Sequence, residues 1–258
     1  MILFFSGCGN SEFIAKELAR LTSDNAIKID LSDSKPSANL APDEPLGIVC
    51  PVYSWAVPRV VTDYLKRLQI NIKPSYHYLA CTCGDNVGNT AERFASFAQS
   101  LGWTLHFAYS FIMPETYVNL PGFKLDTPEG EQRKIETVRH NLPTVAQRIL
   151  RREKGFDVVR GKLPWFNTYI TNTLFYKLLI TDRKFHVADF CISCGLCERS
   201  CPLHNIKMNN GHPSWNGNCT NCMSCYHRCP KNAISFGKAT IGKGGCRGGA
   251  GYTGRRAW

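Results

Sequence analysis

The strongest constraint on this chain is a cysteine spacing used twice: Cys191-x2-Cys194-x2-Cys197-x3-Cys201-Pro202, then Cys219-x2-Cys222-x2-Cys225-x3-Cys229-Pro230. Whatever this segment folds into must gather eight sulfurs in a small volume. Few chemistries other than a pair of [4Fe–4S] clusters ask for that. A cubane cluster takes four thiolates converging on one compact inorganic body. Three closely spaced cysteines wrap one corner of it, and the fourth comes from elsewhere in the chain. Pro202 and Pro230 fix φ and turn the backbone away just past the last cysteine of each run.

In the bacterial two-cluster arrangement of this spacing, the fourth ligand is exchanged between runs. Cys191, Cys194, Cys197 and Cys229 are therefore expected to hold one cluster, and Cys219, Cys222, Cys225 and Cys201 the other. Structural zinc commonly uses two-cysteine knuckles held apart by a longer loop. Four cysteines closed by proline, twice, with 17 residues between Cys201 and Cys219, match that pattern poorly. Disulfides need an oxidising compartment. The segment MILFFSGCGNSEF has no basic n-region, long apolar h-region or small-residue cleavage site. No apolar run reaches the ~18 residues that span a bilayer. The expectation is a cytoplasmic chain with reduced cysteines and no transmembrane segment.

Of the thirteen cysteines, four fall in residues 1–190 and nine in the last 68 residues. With 258 residues and 43% hydrophobic side chains there is room for two domains. The asymmetry points to an ordinary globular domain followed by a small module whose clusters supply the stability its core lacks. Charge is uneven too. Residues 1–146 carry 13 Lys/Arg against 15 Asp/Glu, residues 147–186 carry 9 against 3, and residues 231–258 carry 6 against none. The positive charge flanks the cysteine module, which suits docking to an acidic redox partner protein or an anionic membrane surface, or else a solvated linker helix and basic tail. No zinc-finger, RNA-recognition or helix-turn-helix pattern accompanies it, so nucleic acid is not an expected partner.

Along the first 115 residues, apolar runs alternate with helical periodicity. Strands are expected at Ile2–Phe5, Ala26–Leu31, Leu46–Val52, His77–Thr82 and Thr104–Ile112. Helices are expected after residue 10, after Pro58 and over Thr90–Leu101. Strand and helix in alternation imply a five-stranded parallel sheet covered on both faces. Glu129–Leu150 reads as a long helix that Pro143 should kink or divide. Trp165–Ile180 is a further amphipathic stretch, read as a packing face between two domains rather than a membrane or cofactor feature. The resulting division is 1–155 for the sheet domain, 156–184 for a helical linker, 185–237 for the cluster module and 238–258 for a basic, Gly-rich tail. Asn210-Gly211 signals a small hairpin between the cysteine runs. From Gly237 the chain holds 8 glycines in 22 residues and no acid, a composition of disorder.

Three loops at strand ends carry the remaining chemistry. Ser6, Gly7, Cys8, Gly9, Asn10 and Ser11 open a helix, where backbone N–H groups and the helix dipole suit a phosphate. After the third strand come Val52, Tyr53, Ser54 and Trp55, which offer faces to a planar ring. After the fourth come Thr82, Cys83, Gly84, Asp85 and Gly88, whose Gly-rich turn offers backbone donors to that ring's polar edge. Ligands of doubly wound sheets bind beside such strand ends.

On these residues the chain resembles the flavodoxin–ferredoxin fusion family. Residues 1–115 are similar to a flavodoxin at its phosphate and ring-flanking loops. Residues 186–236 are similar to a bacterial two-cluster ferredoxin at all eight ligand positions. The resemblance implies a flavodoxin-like α/β domain of strand order 2-1-3-4-5, a small α+β ferredoxin-like domain, and FMN with two [4Fe–4S] clusters as cofactors. Cys8 departs from it, standing where flavodoxins usually place threonine, so one hydroxyl donor to phosphate is lost.

A cluster passes single electrons and a flavin one or two, so their union implies an electron-transfer protein of anaerobic metabolism. Three readings remain at this point: that carrier, an FMN-dependent reductase of a quinone or other small acceptor fed by its own ferredoxin, and a colourless zinc-bound or purely structural module. His77, His106 and His140 are the candidate proton donors for the second. No G-x-G-x-x-G fingerprint follows an expected strand, so nicotinamide would act through a partner. Cys8, Cys50, Cys81 and Cys83 read as small buried hydrophobes.

Overall fold

Alternation along the first strand sets the architecture. In the computed structural model, which describes residues 1–120, 122–240, 243 and 245, Ile2 and Phe4 of β1 (Ile2–Phe4) face one side of the sheet. Leu3 and Phe5 face the other. Successive side chains of a strand point to opposite faces, so a strand apolar at every position needs cover on both. The first face packs on Ile14 and Leu18 of α1 (Asn10–Thr22) and on Val138, Leu142 and Val145 of α4 (Pro128–Leu150). The second packs on Val61 and Leu65 of α2 (Arg59–Arg67) and on Ala91 and Phe94 of α3 (Thr90–Ser100).

The other strands are β2 (Ala26–Lys28), β3 (Leu46–Pro51), β4 (His77–Cys83), β5 (Phe107–Ile112) and β6 (Gly155–Asp157). They lie in the order β2-β1-β3-β4-β5-β6, every pair parallel. The sheet therefore has six strands and not the expected five. The extra edge strand pairs Gly155–Asp157 with Phe107–Tyr109, and Arg148 of α4 clamps it through Glu153 at 3.0 Å and Asp157 at 2.6 Å. It lies at the junction assigned to a helical linker. Register also explains Gly47. The glycine pairs with Tyr78, whose ring lies across it, and a Cβ there would stand 2.2 Å from a ring carbon.

Pro143 neither kinks α4 into two helices nor ends it. Its ring projects into solvent, while Ile135, Val138, Leu142, Val145 and Ile149 form one buried stripe on both sides of it. Burial of that stripe outweighs one lost backbone hydrogen bond, and water can reach the carbonyl concerned.

A continuous helical run over residues 164–178 (α5) follows, with a π-helical turn at Asn167–Thr171. The expectation of an apolar packing face holds only toward the C-terminal end of this run, where Phe175 is buried. The residues it buries are Thr168, Asn172 and Phe175, while Trp165, Phe166, Ile170, Leu174 and Leu178 are exposed.

The cysteine-rich module is an α+β unit. Antiparallel β7 (Phe185–Val187) and β10 (Ile234–Phe236) close its two ends together. The hairpin β8 (Ile206–Asn209) and β9 (His212–Trp215) turns at Asn210 and Gly211, both at positive φ as a type I′ turn requires. Short helices α6 (Leu196–Arg199) and α7 (Ser224–Arg228) carry the third cysteine of each run. The backbone repeats at an interval of 28 residues. Ser193 and Asn221, Gly195 and Met223, and His204 and Asn232 are three such pairs, each left-handed. The Gly-rich end begins with order: Thr240 is buried and accepts from Tyr226, and Lys243 donates to the carbonyls of Val118, Leu120 and Phe123. The rest of that tail, Cys246 included, lies outside the described residues.

Candidate functional site

The carboxyl ends of β1, β3, β4 and β5 surround a cavity of about 510 Å³. Ser6, Gly7, Cys8, Asn10, Ser11, Val52, Tyr53, Ser54, Trp55, Thr82, Cys83, Gly84 and Asp85 all line it, so the three loops singled out in the sequence meet in one place. Gly9 and Gly88 do not line it and act on its shape instead. Gly9, at φ 106, starts α1 with no side-chain cap, which leaves the helix N-terminus open toward the loop. Its N–H donates to Ser6 Oγ at 3.0 Å. Gly88 is at φ 58, and a Cβ there would meet Thr168 Oγ1 at 2.6 Å and Trp55 at 3.1 Å.

Ser54 and Trp55 are consecutive non-glycine residues at positive φ, 48 and 59. Such backbone persists only where its surroundings determine it. Here Trp55 Nε1 donates to Asn86 Oδ1 at 2.6 Å, and Asn172 Nδ2 of α5 donates to the carbonyls of Tyr53 and Ser54 at 3.1 and 2.9 Å. Asn10 Oδ1 is buried without a hydrogen-bond partner, and Ser11 Oγ and Thr82 Oγ1 bond each other at 2.8 Å.

Sequence reasoning missed the fourth wall, Pro114–Tyr117 with Leu120 and Phe123, and the fifth, Leu174, Phe175 and Leu178 of α5. Glu115 lies over Gly84: a Cβ on that glycine would stand 2.1 Å from Glu115 Oε2. Burial pushes its carboxyl above the usual range, against the backbone N–H groups of Tyr117 and Thr116 that hold Oε1. The signal was available, because residue 115 follows a strand's carboxyl end as the other loops do. None of His77, His106 and His140 lines the cavity. His77 is buried between Phe94 and Trp103. Cys50 and Cys81 are core residues as expected, whereas Cys8 and Cys83 line the cavity.

The cysteine module closes the cavity from the far side through Asn221, Cys222 and Met223. Cys8 Sγ donates to Cys222 O at 3.1 Å, so this thiol faces the module. A Cβ on Gly7 would stand 2.8 Å from Cys222 Cβ. The Tyr53 hydroxyl is pushed well above its ordinary pKa, first by burial and then by Cys222 and Cys8. Across the same junction Val118 enters the module's core, and His227 Nε2 meets Thr116 O at 2.8 Å.

Within the module the cysteines sort across the two runs. Cys191, Cys194, Cys197 and Cys229 line a separate small cavity of about 20 Å³, walled by Ile192, Met208, Pro230 and Ile234. Cys201 lies within electrostatic reach of Cys219, Cys222 and Cys225. Among the described residues no group of three or more His, Cys, Asp or Glu is drawn tightly enough to hold a single metal ion. Backbone N–H groups of Asn205, Asn221 and Ala233 donate to the sulfurs of Cys201, Cys219 and Cys229 at 3.2 to 3.3 Å. Burial raises the thiols of Cys197 and Cys222 to about 11 and that of Cys219 to about 12. Thiolates at these positions need a cationic partner, which metal coordination supplies.

No curated protein matches this chain. Among solved structures it is similar to the Trp repressor binding protein from Bacillus subtilis, at 12% identity over 60% of this chain and 100% of that one. The TM-score is 0.34. No helix among the described residues is long and apolar enough to cross a membrane. Residues 190–234 match the model of a 4Fe-4S dicluster domain, so the C-terminal module is of that family and supports an iron–sulfur electron-transfer role.

Proposed function

We propose that this chain is an electron-transfer protein coupling one FMN, held in a flavodoxin-like domain over residues 1–155, to two [4Fe–4S] clusters in residues 185–237. The observation that carries the reading is the shared wall: Cys222 of the cysteine module lines the same cavity as the three strand-end loops. The donor set fits a flavin mononucleotide. The open N-terminus of α1 with Ser6, Asn10 and Ser11 suits its phosphate, and Tyr53 and Trp55 suit its ring. The cysteines fit two cubanes in the exchanged pairing, Cys191, Cys194, Cys197 with Cys229 and Cys219, Cys222, Cys225 with Cys201. FMN supplies one- and two-electron chemistry and the clusters single-electron transfer. The protein's own contribution is to bury the ligands, aim N–H groups at sulfur, and hold the cavity against Cys222.

Anaerobic purification with iron, sulfide and flavin counted per chain tests this. About eight irons, eight sulfides and one FMN are expected. Full iron without flavin would leave an iron–sulfur module joined to an empty sheet domain and would sink the coupling.

A second reading, an FMN-dependent reductase of a quinone or similar small acceptor, is favoured by the cavity's outer half. Leu120, Phe123, Leu174 and Leu178 make it apolar, and Glu115 is a buried carboxyl inclined to keep its proton. Quinone turnover that Glu115→Gln abolishes would select it over the carrier.

A further inference from the structure

Helix α5 is inside out. Beside Phe175, the two residues it buries are polar: Thr168 Oγ1 accepts from Asn89 N at 2.8 Å, and Asn172 bonds Arg93, Tyr53 and Ser54. Its outward side is the row Phe166, Ile170, Leu174 and Leu178 at four-residue spacing, extended by Leu163 and Trp165. Leu163, Trp165 and Leu178 expose 71%, 60% and 70% of their surface. A surface helix ordinarily does the reverse, and an exposed apolar patch of this kind marks an interaction site.

The surrounding charge identifies the occupant. Residues 158–181 contain Arg160, Lys162 and Lys177 and no acid. From the elements packed against the helix, Arg59 lies over the Tyr176 ring at 4.0 Å and Arg93 over Tyr169 at 5.9 Å. The carboxylates on those elements are already paired, Asp63 with Lys66 and Glu92 with Arg160, so the ring rests on Lys162, Lys177, Arg59 and Arg93. An apolar row bearing Trp, Phe and Tyr inside a ring of cations matches an anionic bilayer surface. A second copy of the chain would bring two such rings, on molecules of net charge +11, into contact. Fifteen helical residues extend only about 22 Å, enough to lie in the interface and too few to span it.

We propose that α5 seats this protein on anionic membranes, with Trp165, Phe166 and Ile170 entering the headgroup boundary and Lys162 and Lys177 contacting lipid phosphate. The attraction is independent of the flavin reading. Leu174 and Leu178 belong to both the patch and the cavity wall, so the cavity mouth would face the bilayer.

The test is co-sedimentation of the anaerobically purified full chain with phosphatidylcholine vesicles, alone or with about one-third phosphatidylglycerol. Binding to the anionic vesicles alone, weakening as salt rises from about 0.1 to 0.5 M, is expected. Lys162→Gln and Lys177→Gln should each weaken it about fivefold. Trp165→Ser with Phe166→Ser should abolish it while leaving the melting temperature and iron content unchanged, because both side chains are exposed. Three results would overturn the proposal. They are equal binding to both vesicles or none, anionic binding indifferent to these substitutions, and a dimer that the Trp165→Ser/Phe166→Ser variant splits into monomers.

Discussion

Asn172 is the residue on which the cavity's aromatic loop depends, and replacing it has a calculable consequence. It is 1% exposed, donates to the carbonyls of Tyr53 and Ser54, and accepts from Arg93 at 2.9 Å. In Asn172→Ala both carbonyls lose their donor. Each sits in a half-buried loop, so the low end of the range for an unsatisfied group applies, about 1 kcal/mol apiece. Ser54 and Trp55 then hold left-handed backbone worth roughly 1–2 kcal/mol each with one fewer restraint. Arg93 keeps its bond to Thr168 O and adds little. The sum is about 2–3 kcal/mol, a fall of roughly 5–10 °C in the sheet domain's melting temperature. If the loop relaxes, affinity for the proposed FMN should drop about tenfold for every 1.4 kcal/mol that rebinding must restore. Thermal melts followed by circular dichroism, with flavin-fluorescence titration, read both quantities. Asn172→Asp keeps an acceptor for Arg93 but cannot donate, and should behave as badly as alanine. A parent-like aspartate variant, or an alanine variant melting within about 1 °C of the parent, would refute the donor role.

Cys201→Ser should disturb the iron site that includes Cys219, Cys222 and Cys225 and leave its sequence neighbours Cys191, Cys194 and Cys197 intact; paramagnetic resonance of the reduced protein reads which signal is lost, and damage to the neighbours alone would contradict the exchanged pairing. Gly47→Ala places a methyl 2.2 Å from the Tyr78 ring and should lower the urea midpoint by the equivalent of about 1–3 kcal/mol, so an unchanged midpoint would deny that the ring is held over that strand. His77 titrates at about 3 in the fold, lowered first by burial and then by His106, against 6.5 when unfolded. Between those values the unfolded chain binds a proton that the native chain refuses, so stability falls as pH drops from 6.5 toward 3, by at most about 1.4 kcal/mol per pH unit. Urea midpoints at several pH values should show that slope, and His77→Phe should remove it.

Much of this was legible because the informative signals are local. The eight cysteines announce themselves by spacing, and the five expected strands by apolar runs between helical segments. The three loops announce themselves by standing at strand ends. The sixth strand did not, since Gly155-Phe156-Asp157 offers one apolar residue at a half-exposed edge between charged neighbours. Helix α5 was recognised as a helix and its orientation was missed for a different reason. Periodicity gives the angle between apolar and polar faces and says nothing of which one the protein covers. Two buried polar residues, Thr168 and Asn172, reverse the ordinary choice because loops 53–55 and 86–89 offer unpaired backbone groups that only polar side chains can meet. Pro143 shows the opposite limit: a strong local signal overruled by a buried stripe running past it.

Duplication makes the two halves of the cysteine module equivalent, yet their surroundings differ, and the difference gives the proposed electron route an inner and an outer end. Cys194 and Cys222 occupy the same place in the 28-residue repeat. The approximate symmetry of such a repeat turns equivalent residues toward opposite sides of the module. Cys222 therefore abuts Gly7 and Cys8 at the cavity wall, whereas Cys194 is exposed beside exposed Ile192, with Phe190 exposed nearby. Met223 follows the same logic, lining the large cavity while its counterpart Gly195 lines the outer one. One duplicated loop thus supplies an inward port and an outward port without any new structural invention. Under the exchanged pairing, each site also borrows a ligand from the other run, Cys201 for the inner and Cys229 for the outer.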